Sequence, residues 1–135
     1  AYDQLGESRT FFEPSMLPRL HAVVFEGAWP AQREPILDLV LGWRSPSLRQ
    51  RAFLAQIGAE LAGHVGDAGA CVTMIDHAVA CGLYDLHWLD RCPLLEPARR
   101  TPEGAAARVR VKARAEAILD ALYGDADPQS DTAAG

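Results

Sequence analysis

LAQIGAELAGHVGDAGACVTMIDHAVAC, residues 54–81, carries two apolar stripes of helical period with one short break between them. Leu54, Ile57, Gly58, Leu61 and Val65 fall at i, i+3, i+4, i+7 and i+11, which is one face of a helix. Ala55, Ala59 and Ala62 form a smooth edge beside that stripe, so a neighbouring helix can approach closely. Gly66-Asp67 closes the first helix, and the Asp67 carboxylate can cap the next. From Ala68 to Cys81 the inward positions are Cys71, Met74, Ile75, Ala78 and Val79, and Gly82 stops the run. Two amphipathic helices with so short a break predict an antiparallel αα-hairpin.

The flanks read the same way. Met16, Leu17, Leu20, Val23 and Val24 share a face of a helix over 14–25 that Gly27 ends, with Phe11 and Phe12 packing back on it. Ile36, Leu37, Val40 and Leu41 form a second stripe over 30–43, where Pro35 allows either a start at 34–35 or a helix from 30 with a kink. Ser45 or Ser47 caps the third helix. A short turn at 85–90 presents Leu86, Trp88 and Leu89. The last helix opens on Thr101 as N-cap with Pro102 at its first position. Its stripe is Ala107, Val111, Ala115, Ile118 and Leu122. Composition agrees: Ala and Leu supply 39 of the 135 residues, against 16 for Val, Ile and Thr. The expectation is one all-α domain over 11–123 with five main helices, a flexible segment over 1–10 and a disordered tail over 124–135.

Charge runs in blocks. Net charge is −5, which disfavours a general nucleic-acid binder. Residues 44–51 hold Arg44, Arg49 and Arg51 with no acid, at a helix start where cations oppose the macrodipole. Residues 91–116 hold seven bases against three acids; residues 117–135 hold four acids and no base. No apolar run approaches 18 residues, so no membrane partner is expected. The polar start is unlike an export signal, and three cysteines without one read as reduced thiols, giving a cytoplasmic expectation.

At Ala59–Val79 the residues resemble a tetratricopeptide-repeat hairpin: Ala59, Cys71 and Ala78 stand where small residues let the helices cross, and Gly66-Asp67 makes the turn. Leu20–Trp29, LHAVVFEGAW, resembles the turn of a more divergent repeat. Further on, Gly82-Leu83, Trp88-Leu89-Asp90, Cys92-Pro93-Leu94-Leu95 and Pro97-Ala98-Arg99 are similar to the closing segment of bacterial multidomain signalling proteins. These are serine/threonine kinases, ATPase-type regulators and adenylate-cyclase-like proteins with tetratricopeptide tails. The pattern departs at Gly104, where the family has an aromatic residue. The resemblance covers roughly residues 47–123. It implies a piece of a longer chain: a tetratricopeptide-like stack with a C-terminal capping helix, no catalysis, and a regulatory or protein-interaction role. The implied partners are a protein, a peptide or a sibling domain, with self-association where stacked neighbours are lacking.

Sharper chemistry is weighed on the same residues. Cys71, His77, Cys81, His87 and Cys92, with His64, hold metal-ligating types, and His77 and Cys81 share a helical face at i, i+4. No Cys-x2-Cys knuckle occurs, so neither a metal nor another cofactor is expected. Cys81 with His77, or Cys92 with His87, lacks an orienting third group for nucleophilic catalysis. Asp85 and Asp90 read as capping and solvation around a short turn, not as an acid–base pair. Arg108, Arg110, Lys112 and Arg114 have period 2, which spreads them around the solvent side of a helix. With Arg44, Arg49 and Arg51 they are the candidate partner-binding residues; an anionic ligand on the 91–114 surface, or a metal on the Cys/His set, is the alternative.

Overall fold

A computed structural model describes residues 17–31 and 34–124. Phe11, Phe12, Met16, the 1–10 segment and all of the 124–135 tail beyond Gly124 lie outside the described residues. Every regular element among the described residues is helical. In order they are α1 Leu17–His21, continued by a π-helical turn Ala22–Glu26; α2 Glu34–Gly42; α3 Leu48–His64; α4 Ala68–Ala80; α5 Leu86–Arg91; a 3-10 turn Pro93–Leu95; α6 Glu96–Arg99; and α7 Pro102–Tyr123.

The element boundaries follow local chemistry. Ser47, Asp67, Asp85 and Thr101 each accept a hydrogen bond from the backbone N–H three residues on, which caps α3, α4, α5 and α7. Pro102 takes the first turn of α7, where its missing N–H has no intrahelical role. α2 starts at Glu34, the later of the starts that Pro35 allows. Among the described residues two short helices add to the five expected: α5, where a turn was expected, and α6; α6 and the 3-10 turn before it each carry a proline in their first two positions.

α3 and α4 form the centre. Ala55, Ala59 and Ala62 on one, and Cys71, Met74, Ile75 and Ala78 on the other, are fully buried. Each large side chain among these contributes about 1.5–3 kcal/mol of burial. The alanine edge brings the two helices close enough that a Cβ on Gly58 would touch the Met74 sulfur at 3.0 Å. Leu95, Ala98, Ala107 and Val111 from the 3-10 turn, α6 and α7 complete this core. A smaller cluster, Val23 and Ile36 with Leu20, Leu39, Leu61 and Val65, fixes α1 and α2 to the outer side of α3.

Two tryptophans carry the outer elements to the centre by hydrogen bonds as well as packing. Trp29 donates its indole N–H to Asp67 Oδ2 at 2.9 Å, and Trp88 donates to Glu60 Oε1 at 2.7 Å. Trp43 also packs against the main core. Arg99 donates to the carbonyls of Leu89 (3.2 Å) and Cys92 (2.7 Å), so it holds the end of α5 to α6.

The expected stripe of α7 holds only in its first half. Ala107 and Val111 are fully buried, but Ile118 is 38% exposed and Leu122 is 67% exposed. The helix outruns the elements it packs on: Arg114 already bonds to the last turn of α4, through the Val79 carbonyl at 3.2 Å.

Candidate functional site: a groove at the start of helix α3

The first turns of α3 lie across from the Cys81–His87 connection that joins α4 to α5. Between them is a groove of about 1010 Å³, lined by Ser47, Arg49, Gln50, Ala52, Phe53 and Gln56 on one wall and by residues 81–87 on the other. Gly82, in the left-handed region at φ 98°, turns the chain so that Leu83 is buried under the groove while Tyr84 stands up from it. Phe53 and Tyr84, one from each wall, are 61% and 58% exposed. Exposed aromatic rings on facing walls are the kind of surface that anchors a partner. Arg49 supplies a cation at the rim. The Asp85 carboxylate caps α5 through the Trp88 N–H at 2.8 Å.

The seven candidate basic residues separate into two groups. Arg44 follows α2 and Arg49 opens α3; both are exposed and neither pairs with a described acid. Arg51 is half-buried on α3, and its Nε is buried with no hydrogen-bond partner. The α7 residues are engaged within the chain. Arg108 binds Asp90 through two parallel hydrogen bonds, Nε to Oδ1 at 2.6 Å and Nη2 to Oδ2 at 2.8 Å. Arg110 pairs with Asp76 on α4, Lys112 with Glu116 at 3.6 Å, and Arg114 with the Val79 carbonyl. Arg108, Arg110 and Arg114 therefore fasten α7 to α4 and α5, which period alone did not reveal. Asp90, read as solvated, is a partner in that fastening, and its carboxyl is held below the usual range chiefly by the Arg108 hydrogen bond.

The Cys/His residues do not assemble. Cys81 Sγ stands 3.9 Å from His77 Nε2. His77 is pushed down from its ordinary value by burial and then by the charge of Arg51. Burial, reinforced by Cys92 and Asp67, pushes the Cys71 thiol up to about 11. His64 donates from Nε2 to the Val24 carbonyl oxygen of the π-helical turn, 3.1 Å away. Among the described residues, no three His, Cys, Asp or Glu side chains come within reach of one ion.

Phe53 and Tyr84 carry no partner-binding expectation from the sequence. The available signal was position: Phe53 directly precedes the Leu54 stripe and lies off it, so it cannot share the α3 core face. No helix among the described residues is long and apolar enough to cross a membrane. Compared with known proteins, the chain matches no protein-family model, no curated protein and no solved structure.

Proposed function

We propose that this chain is a non-catalytic interaction module that holds an extended or helical segment of a protein partner, or of a sibling domain, in the α3/α4–α5 groove. The observation that carries it is the pair Phe53 and Tyr84, left exposed on facing walls of a groove at the upper end of small-molecule pocket size. Arg49 gives that wall of the groove a preference for an acidic residue in the bound segment. On this reading α3 and α4 are a tetratricopeptide-like hairpin and α7 is the helix that closes a stack. The setting is the regulatory tail of a bacterial signalling protein. The small side chains at Ala59, Cys71 and Ala78, buried where the two helices meet, support it. Three free cysteines, two of them buried, fit a reducing compartment.

The test is selection of random displayed peptides on the immobilised domain, followed by binding measurements with Phe53→Asp and Tyr84→Asp. Peptides rich in apolar and acidic residues are expected, with binding weakened at least tenfold by either substitution. Failure to enrich any sequence, or binding indifferent to both substitutions, would contradict the proposal.

A further inference from the structure

α7 runs in the same direction as α4. Arg110 pairs with Asp76 and, four residues on, Arg114 bonds to the Val79 carbonyl at 3.2 Å. α4 ends at Ala80, whereas α7 continues to Tyr123, so the last turns of α7 overhang the end of α4. That is the end of the molecule where the groove lies, since Ser47 before α3 and Cys81 after α4 both line it. The two features meet at Gly82. Gly82 lines the groove, and Arg114 Nη1 stands 3.2 Å from where a Cβ on it would be. Ile118 and Leu122 follow Arg114 at i+4 and i+8, on the same face of α7, about 6 and 12 Å further along. They are 38% and 67% exposed, and Leu119 and Tyr123 beside them are 55% and 70% exposed. The face of α7 that touches the groove wall therefore carries on past it as an uncovered apolar ridge.

The chemistry of this ridge selects the form of what lies on it. Ile118, Leu119 and Leu122 have no hydrogen-bonding side chain. An extended segment laid along them would leave backbone N–H and C=O groups without partners on that side. A helix satisfies those groups internally and packs a row of side chains against the i, i+4 row of α7. We infer that the end of α7 is a further wall of the groove, and that the occupant of both is an amphipathic helix of a protein partner. That helix is anchored at Phe53 and Tyr84 and continues across Gly82 onto Ile118 and Leu122. The inference rests on the groove being the binding surface proposed above. It adds the second half of that surface and fixes the conformation of what binds there.

The test is calorimetric titration of the full chain with a peptide enriched by the selection above, comparing the wild type with Phe53→Asp, Leu122→Asp and Val109→Asp. All three positions are exposed, and circular dichroism verifies that each variant folds. Val109 is on α7 but off the Arg114–Leu122 face, so it is the control. Leu122→Asp is expected to weaken binding by about fivefold or more, and Val109→Asp by less than about twofold. Difference circular dichroism is expected to show the peptide gaining helix as it binds, and a proline at its centre is expected to abolish binding. Binding that Phe53→Asp weakens but Leu122→Asp leaves unchanged overturns this inference and leaves the groove reading standing. So does equal weakening by Val109→Asp, or a bound peptide that gains no helix. A dimer in sedimentation equilibrium that Leu122→Asp disperses would give the ridge to a second copy, and overturns the inference as well. A selection that enriches no peptide sinks the groove reading itself, and this inference with it.

Discussion

Gly63 on α3 and the carbonyl of Leu94 are in backbone contact: a Cβ placed on residue 63 would stand 1.8 Å from the Leu94 oxygen. The opposing atom is main chain in the 3-10 turn and cannot swing aside as a side-chain tip can. Gly63→Ala is therefore expected to destabilise the chain by about 3 kcal/mol, read as a lower urea midpoint with an unchanged slope. Gly69→Ala is the control, because its Cβ meets only Asp67 Oδ1 at 3.7 Å, an ordinary contact. That substitution is expected to be neutral or to stabilise by up to about 1 kcal/mol.

His77 gives stability a dependence on pH near neutrality. Its pKa in the folded chain lies below the ordinary 6.5, so the unfolded chain takes up the proton first. Its contribution is fully present above pH 6.5 and is lost as pH falls from there through the lower folded value. The urea midpoint is expected to decline over that range, and His77→Gln should flatten the decline. An NMR titration of the His77 ring would place the folded value directly.

Asp90 acts in a more acidic window. Its carboxyl is held down chiefly by the Arg108 hydrogen bond, so the stabilisation is present above the ordinary 3.8 and disappears as pH falls through the folded value. Both side chains are partly exposed, so the effect is small. Asp90→Asn is expected to lower the thermal midpoint at pH 7 by a few degrees at most. It should also remove part of the loss between pH 4 and the acid transition.

The three thiols are expected to react in a fixed order. Cys92 is half-buried, Cys81 is buried, and Cys71 is buried with its thiol raised to about 11. Alkylation at pH 8, followed by mass spectrometry, should label Cys92 first and Cys71 last. Cys71 is expected to react at the rate of global unfolding, because the thiolate is the reacting form.

The helices were legible where the signal is local. The α4 stripe, the Asp67 and Thr101 caps and the alanine edge are patterns within a few residues of themselves, and Cys71, Met74, Ile75 and Ala78 are buried as their spacing puts them; on α3 the alanine edge is the fully buried side, while Ile57, Leu61 and Val65 of the expected stripe are half-buried. What escaped the sequence was set by partners far along the chain. Arg108 was read as solvent-facing because its partner, Asp90, lies 18 residues away on another helix. Gly63 had no visible role because the atom opposite is a backbone oxygen, which no side-chain pattern announces. Ile118 and Leu122 carry a core period, but period cannot tell that α4 ends before reaching them. Of the groove lining, only Arg49 carries a partner-binding expectation from the sequence. Its facing wall is a connection whose course depends on Gly82, and the loop has no period to read.

The groove as a binding surface is the central claim, and a chemical-shift titration of the isotope-labelled chain with a selected peptide tests it most directly. Saturable shifts are expected at residues 47–56 and 81–87, with the largest at Phe53 and Tyr84. Shifts that instead cluster on α2 or on the Arg108–Arg114 face of α7, leaving both aromatic residues unmoved, would contradict it.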